Sequence, residues 1–301
     1  MYSRGRYNNN QRFYQPRTPQ KRGGTLSVSE LLRAVEQSKV EEQSMPETEY
    51  IPQNKFETFA ISDFLKRNII KKGYKTPTPI QDKVVPIALE GKDVIGIANT
   101  GTGKTAAFLI PLVEKISKDK TNKALIIAPT RELALQIDEE FKSFSEGTGL
   151  RSVLCIGGAN MFQQKRHLSY NPSFVIGTPG RIKDLMRQKD LDLSKFNNVV
   201  LDEADRMVDI GFIKEIKFLI SHLPKERQSF FFSATISTKV QEILQPFVQN
   251  PVTISVKQKE AAQNVKQEII RVSKKNKIDA LHNLLIQKGF EKTLVFGRTK
   301  H

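Results

Sequence analysis

The order of apolar and polar positions divides the chain before any residue chemistry is considered. Between residues 93 and 256 seven short apolar runs recur: DVIGIA (93–98), KALIIAP (123–129), SVLCIG (152–157), FVIGTP (174–179), NVVLDEAD (198–205), SFFFSAT (229–235) and VTISV (252–256). Most are apolar at successive positions rather than at every second one, the pattern of a strand covered on both faces. Between them lie stretches with apolar residues three and four apart, such as TRELALQIDEEFKSF (130–144) and FIKEIKFLISHL (212–223), which predict amphipathic helices. Alternating strands and helices predict an α/β fold, a parallel sheet covered by helices on both faces. Ligands of such sheets gather beyond the carboxyl ends of the strands, so the loops that follow the apolar runs are where chemistry is expected.

Upstream the pattern differs. Residues 1–24, MYSRGRYNNNQRFYQPRTPQKRGG, hold six basic residues, no acidic ones and four aromatics. Such a segment cannot bury enough surface to fold and is expected to be a disordered tail. Its interleaved Arg and Tyr suit RNA, guanidinium on phosphate and ring on base; a purely solubilising tail is the other reading. In residues 25–55, a short helix and linker, Val28, Leu31, Leu32 and Val35 mark one turn-spaced face.

Composition narrows the class. With 38% hydrophobic and 27% charged residues the chain reads as globular, and its formal charge of +16 points to a polyanionic partner. No apolar run approaches the roughly 18 residues of a membrane span, and the N-terminus shows no secretory h-region. The single cysteine, Cys155, excludes a disulfide framework and is expected as a reduced core residue of a cytoplasmic protein. The four histidines stand too far apart to read as a metal site.

The strand ends carry the chemistry. After DVIGIA comes ANTGTGKT, residues 98–105, and then an apolar helix. Gly101 and Gly103 let backbone N–H groups curl around phosphate oxygens, Lys104 reaches for the outer phosphates, and the Thr105 hydroxyl is suited to Mg²⁺. Ala98 stands where the general pattern has Gly; Asn99, Thr100 and Thr102 complete the loop. A loop of this kind needs a carboxylate at a neighbouring strand end, and VVLDEAD supplies Asp202 for the metal and Glu203 to orient and deprotonate an attacking water.

In this order the motifs resemble those of the DEAD-box ATP-dependent RNA helicases, from Phe56 to the last residue. GYKTPTPIQ (73–81) is similar to the family's Q motif, spanning 56–84 here, with Phe56 as its isolated upstream aromatic. The resemblance implies that the Gln81 amide meets adenine N6 and N7 and that Tyr74 stacks on the base. PTREL (129–133), Gly157-Gly158 and TPGR (178–181) resemble the RNA-binding motifs, implying contacts from Arg131, Gly158, Thr178, Gly180 and Arg181 to the RNA backbone. SAT (233–235) resembles the motif that links ATP state to RNA, with Ser233 and Thr235 bonding the DEAD carboxylates, Asp205 especially.

The implied architecture is a RecA-like P-loop domain over residues 56–256, a linker at 257–264, and the start of a second RecA-like lobe at 265–301, with strand QEIIRV, helix KIDALHNLLIQ and strand LVF. The chain stops before the family's arginine-rich motif, so the expectation is a fragment with an incomplete second lobe. ATP, Mg²⁺ and RNA are the implied ligands. An ATP-driven DNA helicase and a non-catalytic ATP- and RNA-binding single-lobe module are the alternatives.

Overall fold

The computed structural model describes residues 50–256 and 277–295, apart from 288 and 291. The expected tail, the helix on Val28 to Val35, the linker and the QEIIRV strand lie outside these residues. The chain divides into two compact units, Met1–Gln258 and Lys259–His301.

In the first unit all seven apolar runs are strands: β1 Val94–Ala98, β2 Ala124–Ile127, β3 Ser152–Cys155, β4 Phe174–Gly177, β5 Asn198–Leu201, β6 Gln228–Ser233 and β7 Val252–Val256. They form one sheet in the order β3-β4-β2-β5-β6-β1-β7, and every pairing is parallel. The helices are α1 Asp63–Lys71, α2 Pro79–Leu89, α3 Lys104–Lys118, α4 Arg131–Phe144, α5 Met161–Ser169, α6 Pro179–Arg187, α7 Ala204–Ile210, α8 Ile213–Ile220 and α9 Thr238–Phe247. Their starts follow local chemistry. Proline opens α2 and α6, where the missing N–H is not needed, and Thr130, Asn160 and Ser237 accept first-turn N–H groups of α4, α5 and α9.

Two cores sandwich the sheet. Strand alternation sends Phe230 and Phe232 to the face covered by α1 to α4, and Phe231 to the face covered by α6 to α9, where it meets Phe247. Thus the run FFF, which has no period of its own, reflects a strand buried on both sides. Gly96 of β1 lies under the Phe232 ring, where an added Cβ would come within 2.4 Å of ring carbons. Phe232 in turn packs on Phe108 of α3, ring centroids 5.6 Å apart. The helix that carries the phosphate loop's lysine is therefore seated on the strand that ends in SAT.

The second unit contributes α10, Lys277–Leu285, which buries none of its residues. Here one expectation fails: Leu294 and Val295 form no strand and are 79% and 53% exposed. Among the described residues no strand lies in this unit to pair with them, and an unpaired strand leaves its backbone groups without partners. Phe296 lies outside the described residues.

Candidate functional site

The loops after β1, β5 and β6 meet at the carboxyl edge of three adjacent strands. Gly101 and Gly103 both take left-handed backbone, φ +83° and +90°, and Gly103 caps α3. Lys104 follows at the first position of α3. It is 6% exposed and its Nζ donates to the Ala98 carbonyl at 3.0 Å, so the ammonium is folded back over the loop. Thr102 closes the curl by donating to the Asn99 carbonyl at 2.8 Å.

Asp202 leaves β5 beside that lysine, 2% exposed. Burial pushes its carboxyl up to about 6; the Lys104 charge pulls it back down, and the Glu203 charge adds to the rise. A carboxylate so desolvated, next to one cation and a second carboxylate, fits a site that takes a further positive charge. Glu203 has left-handed backbone, φ +52°, a strained conformation for a non-glycine residue. Its carboxylate is held at both oxygens, by the Thr100 hydroxyl at 3.0 Å and by Arg206 Nη1 at 3.2 Å. Among the described residues no group of three acidic, His or Cys side chains is arranged for a metal, so a cation here would take the rest of its ligands from elsewhere.

The end of β6 locks onto the same loop. Asp205 Oδ2 accepts the N–H groups of Ala234 and Thr235, at 3.1 and 2.9 Å, and the Thr235 hydroxyl at 3.2 Å. Ser233 behaves differently from expectation. Its hydroxyl accepts the backbone N–H of Asp205 at 3.2 Å and donates to the Thr235 carbonyl at 2.7 Å, so it holds the turn rather than a carboxylate.

Of the residues expected to form a Q motif, Gln81 is brought to the loop and Phe56 is not. Gln81 is fully buried; its Oε1 accepts the Thr78 N–H at 3.0 Å and its Nε2 donates to the Gly103 carbonyl at 3.1 Å, which ties α2 to the loop. Each end of the amide keeps one further hydrogen-bonding position. Phe56, the upstream aromatic of the motif and a candidate for the nucleotide site, is in the core instead, and Tyr74, expected to stack on the base, packs half-buried against that core. Phe56 is 1% exposed, and Tyr74 meets it edge-on at 5.8 Å and meets Phe144 at 5.7 Å. The Tyr74 hydroxyl donates to Glu140, and burial together with this bond holds the phenol above its usual range. Both rings bury more apolar area between α1, α4 and the Phe56 turn than a solvent-facing position would.

Asp82, next in sequence to Gln81, is a residue that sequence reasoning missed. Its buried carboxylate accepts from the Tyr50 hydroxyl, the Gln53 N–H at 2.8 Å, the Asn54 N–H at 3.0 Å and Asn54 Nδ2 at 2.8 Å. It thereby fastens residues 50–54 to α2. Burial raises its pKa, and the bonds from Tyr50, Asn54 and Gln53 more than reverse this, holding it below the ordinary 3.8. Arg206 was also missed, since DEADR alone does not show which carboxylate the arginine reaches.

A groove of about 480 Å³ lies over the other half of the same edge, lined by Arg131, Gly157, Thr178, Gly180, Arg181 and Phe212 among others. It gathers the three motifs that follow β2, β3 and β4. Arg131 stretches over the glycine pair: a Cβ on Gly158 would come within 2.4 Å of its Nη1, and Gly158 itself sits at φ +80°. Only a residue without a side chain leaves room for the guanidinium there. Buried Cys155, with its thiol pushed up to about 12 by burial, lies behind the groove as an inert core residue.

A seven-stranded parallel sheet with this loop after β1 and an acidic pair after β5 defines a RecA-like P-loop domain. Known proteins agree. The family described as DEAD/DEAH box helicase matches residues 78–243. The ATP-dependent RNA helicase CshA of Listeria monocytogenes is 43% identical over 248 residues, covering 82% of this chain and 48% of its own length. The DEAD-box ATP-dependent RNA helicase CshA of Bacillus subtilis is 42% identical over 247 residues, 81% of this chain and 50% of its own. Among solved structures, a DEAD box protein from Methanococcus jannaschii superposes with TM-score 0.65 at 33% identity, covering 78% of this chain and 64% of that one. A hypothetical ATP-dependent RNA helicase from Sulfolobus tokodaii gives TM-score 0.61 at 33% identity, with 65% and 57% covered. The chain belongs to the DEAD/DEAH box helicase family. It spans about half the length of the curated relatives it matches.

Proposed function

We propose that this chain is the nucleotide-binding part of an ATP-dependent RNA helicase, which holds ATP with Mg²⁺ in the loop after β1 and RNA in the groove after β2, β3 and β4. The observation that supports it most is one of placement. Lys104, Asp202 and Glu203 converge beside the Asp205–Thr235 clamp, on the same sheet edge as the groove with Arg131 and Arg181.

In this reading Lys104 exchanges the Ala98 carbonyl for phosphate oxygens, and the N–H groups of Gly101 and Gly103 wrap around the phosphates. Asp202 and Thr105 would hold the metal, whose charge offsets that of the phosphates. Glu203 accepts a proton from the attacking water once a carboxylate oxygen is freed from Thr100 or Arg206. Gln81 uses the remaining capacity of its amide for the adenine edge. The groove offers Arg131, Arg181, the Thr178 hydroxyl and the N-terminus of α6 to the RNA backbone, with little base readout. We place the protein with its RNA in the cytoplasm. Among the described residues no helix is long and apolar enough to cross a membrane.

Binding of a fluorescent ATP analogue and RNA-stimulated ATPase test the reading. Lys104→Ala abolishes nucleotide binding, whereas Glu203→Gln keeps binding and removes hydrolysis in a version that includes the second lobe. Hydrolysis by Glu203→Gln at the wild-type rate overturns the assignment of the base. Stimulation by DNA equal to that by RNA replaces the substrate class.

A further inference from the structure

Helix α5 flanks the groove and carries a stripe that the reading above leaves unused. Phe162, Arg166 and Tyr170 follow one another at intervals of four residues, so they lie along one face over about 12 Å. Phe162 is 74% exposed and Tyr170 54%, and Arg166 between them is exposed as well. Arg166 Nε donates to the Tyr170 hydroxyl at 3.1 Å, which sets the guanidinium against the phenol.

The stripe connects two concave sites. At its start, Arg181 of the groove reaches the Ala159 carbonyl at 3.4 Å and the Met161 sulfur at 3.6 Å, on the turn that opens α5. At its end, His167 and Tyr170 line a second cavity of about 540 Å³, together with Arg151 and Glu146. The acidic groups here are already committed: Glu146 pairs with Lys71 at 2.8 Å and Asp190 with Lys165 at 2.8 Å. Exposed Arg151 has no carboxylate within ion-pair distance among the described residues. Between the groove, which also carries Glu132 and Asp184, and the far cavity, the charges without an ion-pair partner among the described residues are those of Arg166 and Arg151.

We infer that α5 is a second contact for single-stranded RNA, one that continues the strand from the groove to the far cavity. Bases stack on Phe162 and Tyr170, and phosphates lie against Arg166 and Arg151. An aromatic–guanidinium–aromatic succession suits a polymer that alternates flat bases with negative charge, whatever its sequence. A protein partner would also cover exposed rings, but continuity with the groove and the unpaired arginines favour RNA. The inference rests on the reading of the groove as an RNA site.

Fluorescence anisotropy on the whole 301-residue chain, with labelled oligouridylates of 6 and 20 nucleotides, tests it. Phe162→Ala and Tyr170→Ala each weaken the 20-mer by about fivefold or more and leave the 6-mer within twofold; Phe162→Trp restores the 20-mer. Both rings are exposed, so the fold does not depend on them. If the wild-type chain binds neither oligomer, the groove reading falls and takes the stripe with it. If the chain binds both and the double alanine variant matches it, the stripe alone is refuted. Equal weakening of both lengths also refutes the continuation. So does a change confined to self-association in analytical ultracentrifugation, which would reassign the rings to a protein contact.

Discussion

Replacing Asp82 with alanine tests whether one carboxylate holds residues 50–54 against the nucleotide-binding lobe. The carboxylate is 3% exposed and accepts four hydrogen bonds from that segment. A bond to a charged acceptor is worth about 1.5–3 kcal/mol, so a plain sum would reach roughly 6–12. That sum is too large, because Tyr50 and Gln53 are exposed and Asn54 is half-buried, so the freed donors recover water. A net loss of about 2–4 kcal/mol remains. For a lobe of about 200 residues this corresponds to a fall in Tm of roughly 5–15 °C. Asp82→Asn should lose less, since one oxygen still accepts while the amide turns donors toward donors. Thermal melts supply the magnitude, and hydrogen exchange at the Gln53 and Asn54 amides supplies the location. The pH dependence follows from the lowered pKa. Folding favours the ionised form, so the stabilisation is complete above the unfolded value of 3.8 and is lost as pH falls through the lower folded value. The gap between wild type and Asp82→Ala should therefore close in acid. A variant that melts within a degree of wild type at pH 7, with unchanged exchange at those two amides, would show that the segment is held by something else.

Gln81→Ala should narrow the preference for ATP over GTP by roughly 1–3 kcal/mol if the amide reads adenine; equal losses for both nucleotides would leave it only as a brace for Gly103. Asp205→Ala removes three hydrogen bonds between the ends of β5 and β6 and should uncouple ATPase from RNA while nucleotide affinity stays close to wild type; RNA stimulation at the wild-type level would argue against a linking role. Deleting residues 1–24 should flatten the slope of log K against log salt for RNA by about 4, from six basic charges at roughly 0.7 each. Equal slopes would reduce the tail to a solubility device.

The seven strands of the first unit were legible because a strand buried on both faces is apolar throughout, although LVF shows the same pattern and its Leu294 and Val295 form no strand. The phosphate loop and the DEAD turn were legible for another reason: their chemistry depends on neighbours in sequence. What escaped depends on distance along the chain. Asp82 sits among helical residues with nothing local to distinguish it, and its partners lie 28–32 positions away. Phe56 was a candidate for the nucleotide site because an aromatic in a motif suggests a ligand, yet periodicity cannot tell a ring that faces a ligand from one buried against Phe59 and Tyr74. Ser233 shows the same limit at short range. Its hydroxyl meets the backbone N–H of Asp205 and the Thr235 carbonyl instead of the expected carboxylate.

The strand order gives the sheet edge a division of labour. β1, β5 and β6 carry the loops with Lys104, Asp202 and Thr235, whereas β2, β3 and β4 carry the loops that form most of the groove. The two sets of strands pair only at β2 and β5. Beyond the sheet, Phe212 reaches the groove and Lys183 of α6 bonds Glu215 of α8 at 2.9 Å. With strands about 4.8 Å apart, the TPGR loop after β4 stands four strands, about 19 Å, from the loop after β1. Substitutions so far apart tend to combine additively. A lineage could then retune how tightly this surface grips its polymer without disturbing the chemistry of the phosphates, as long as the β2–β5 seam and the contacts of Phe212 and Lys183 across it are kept.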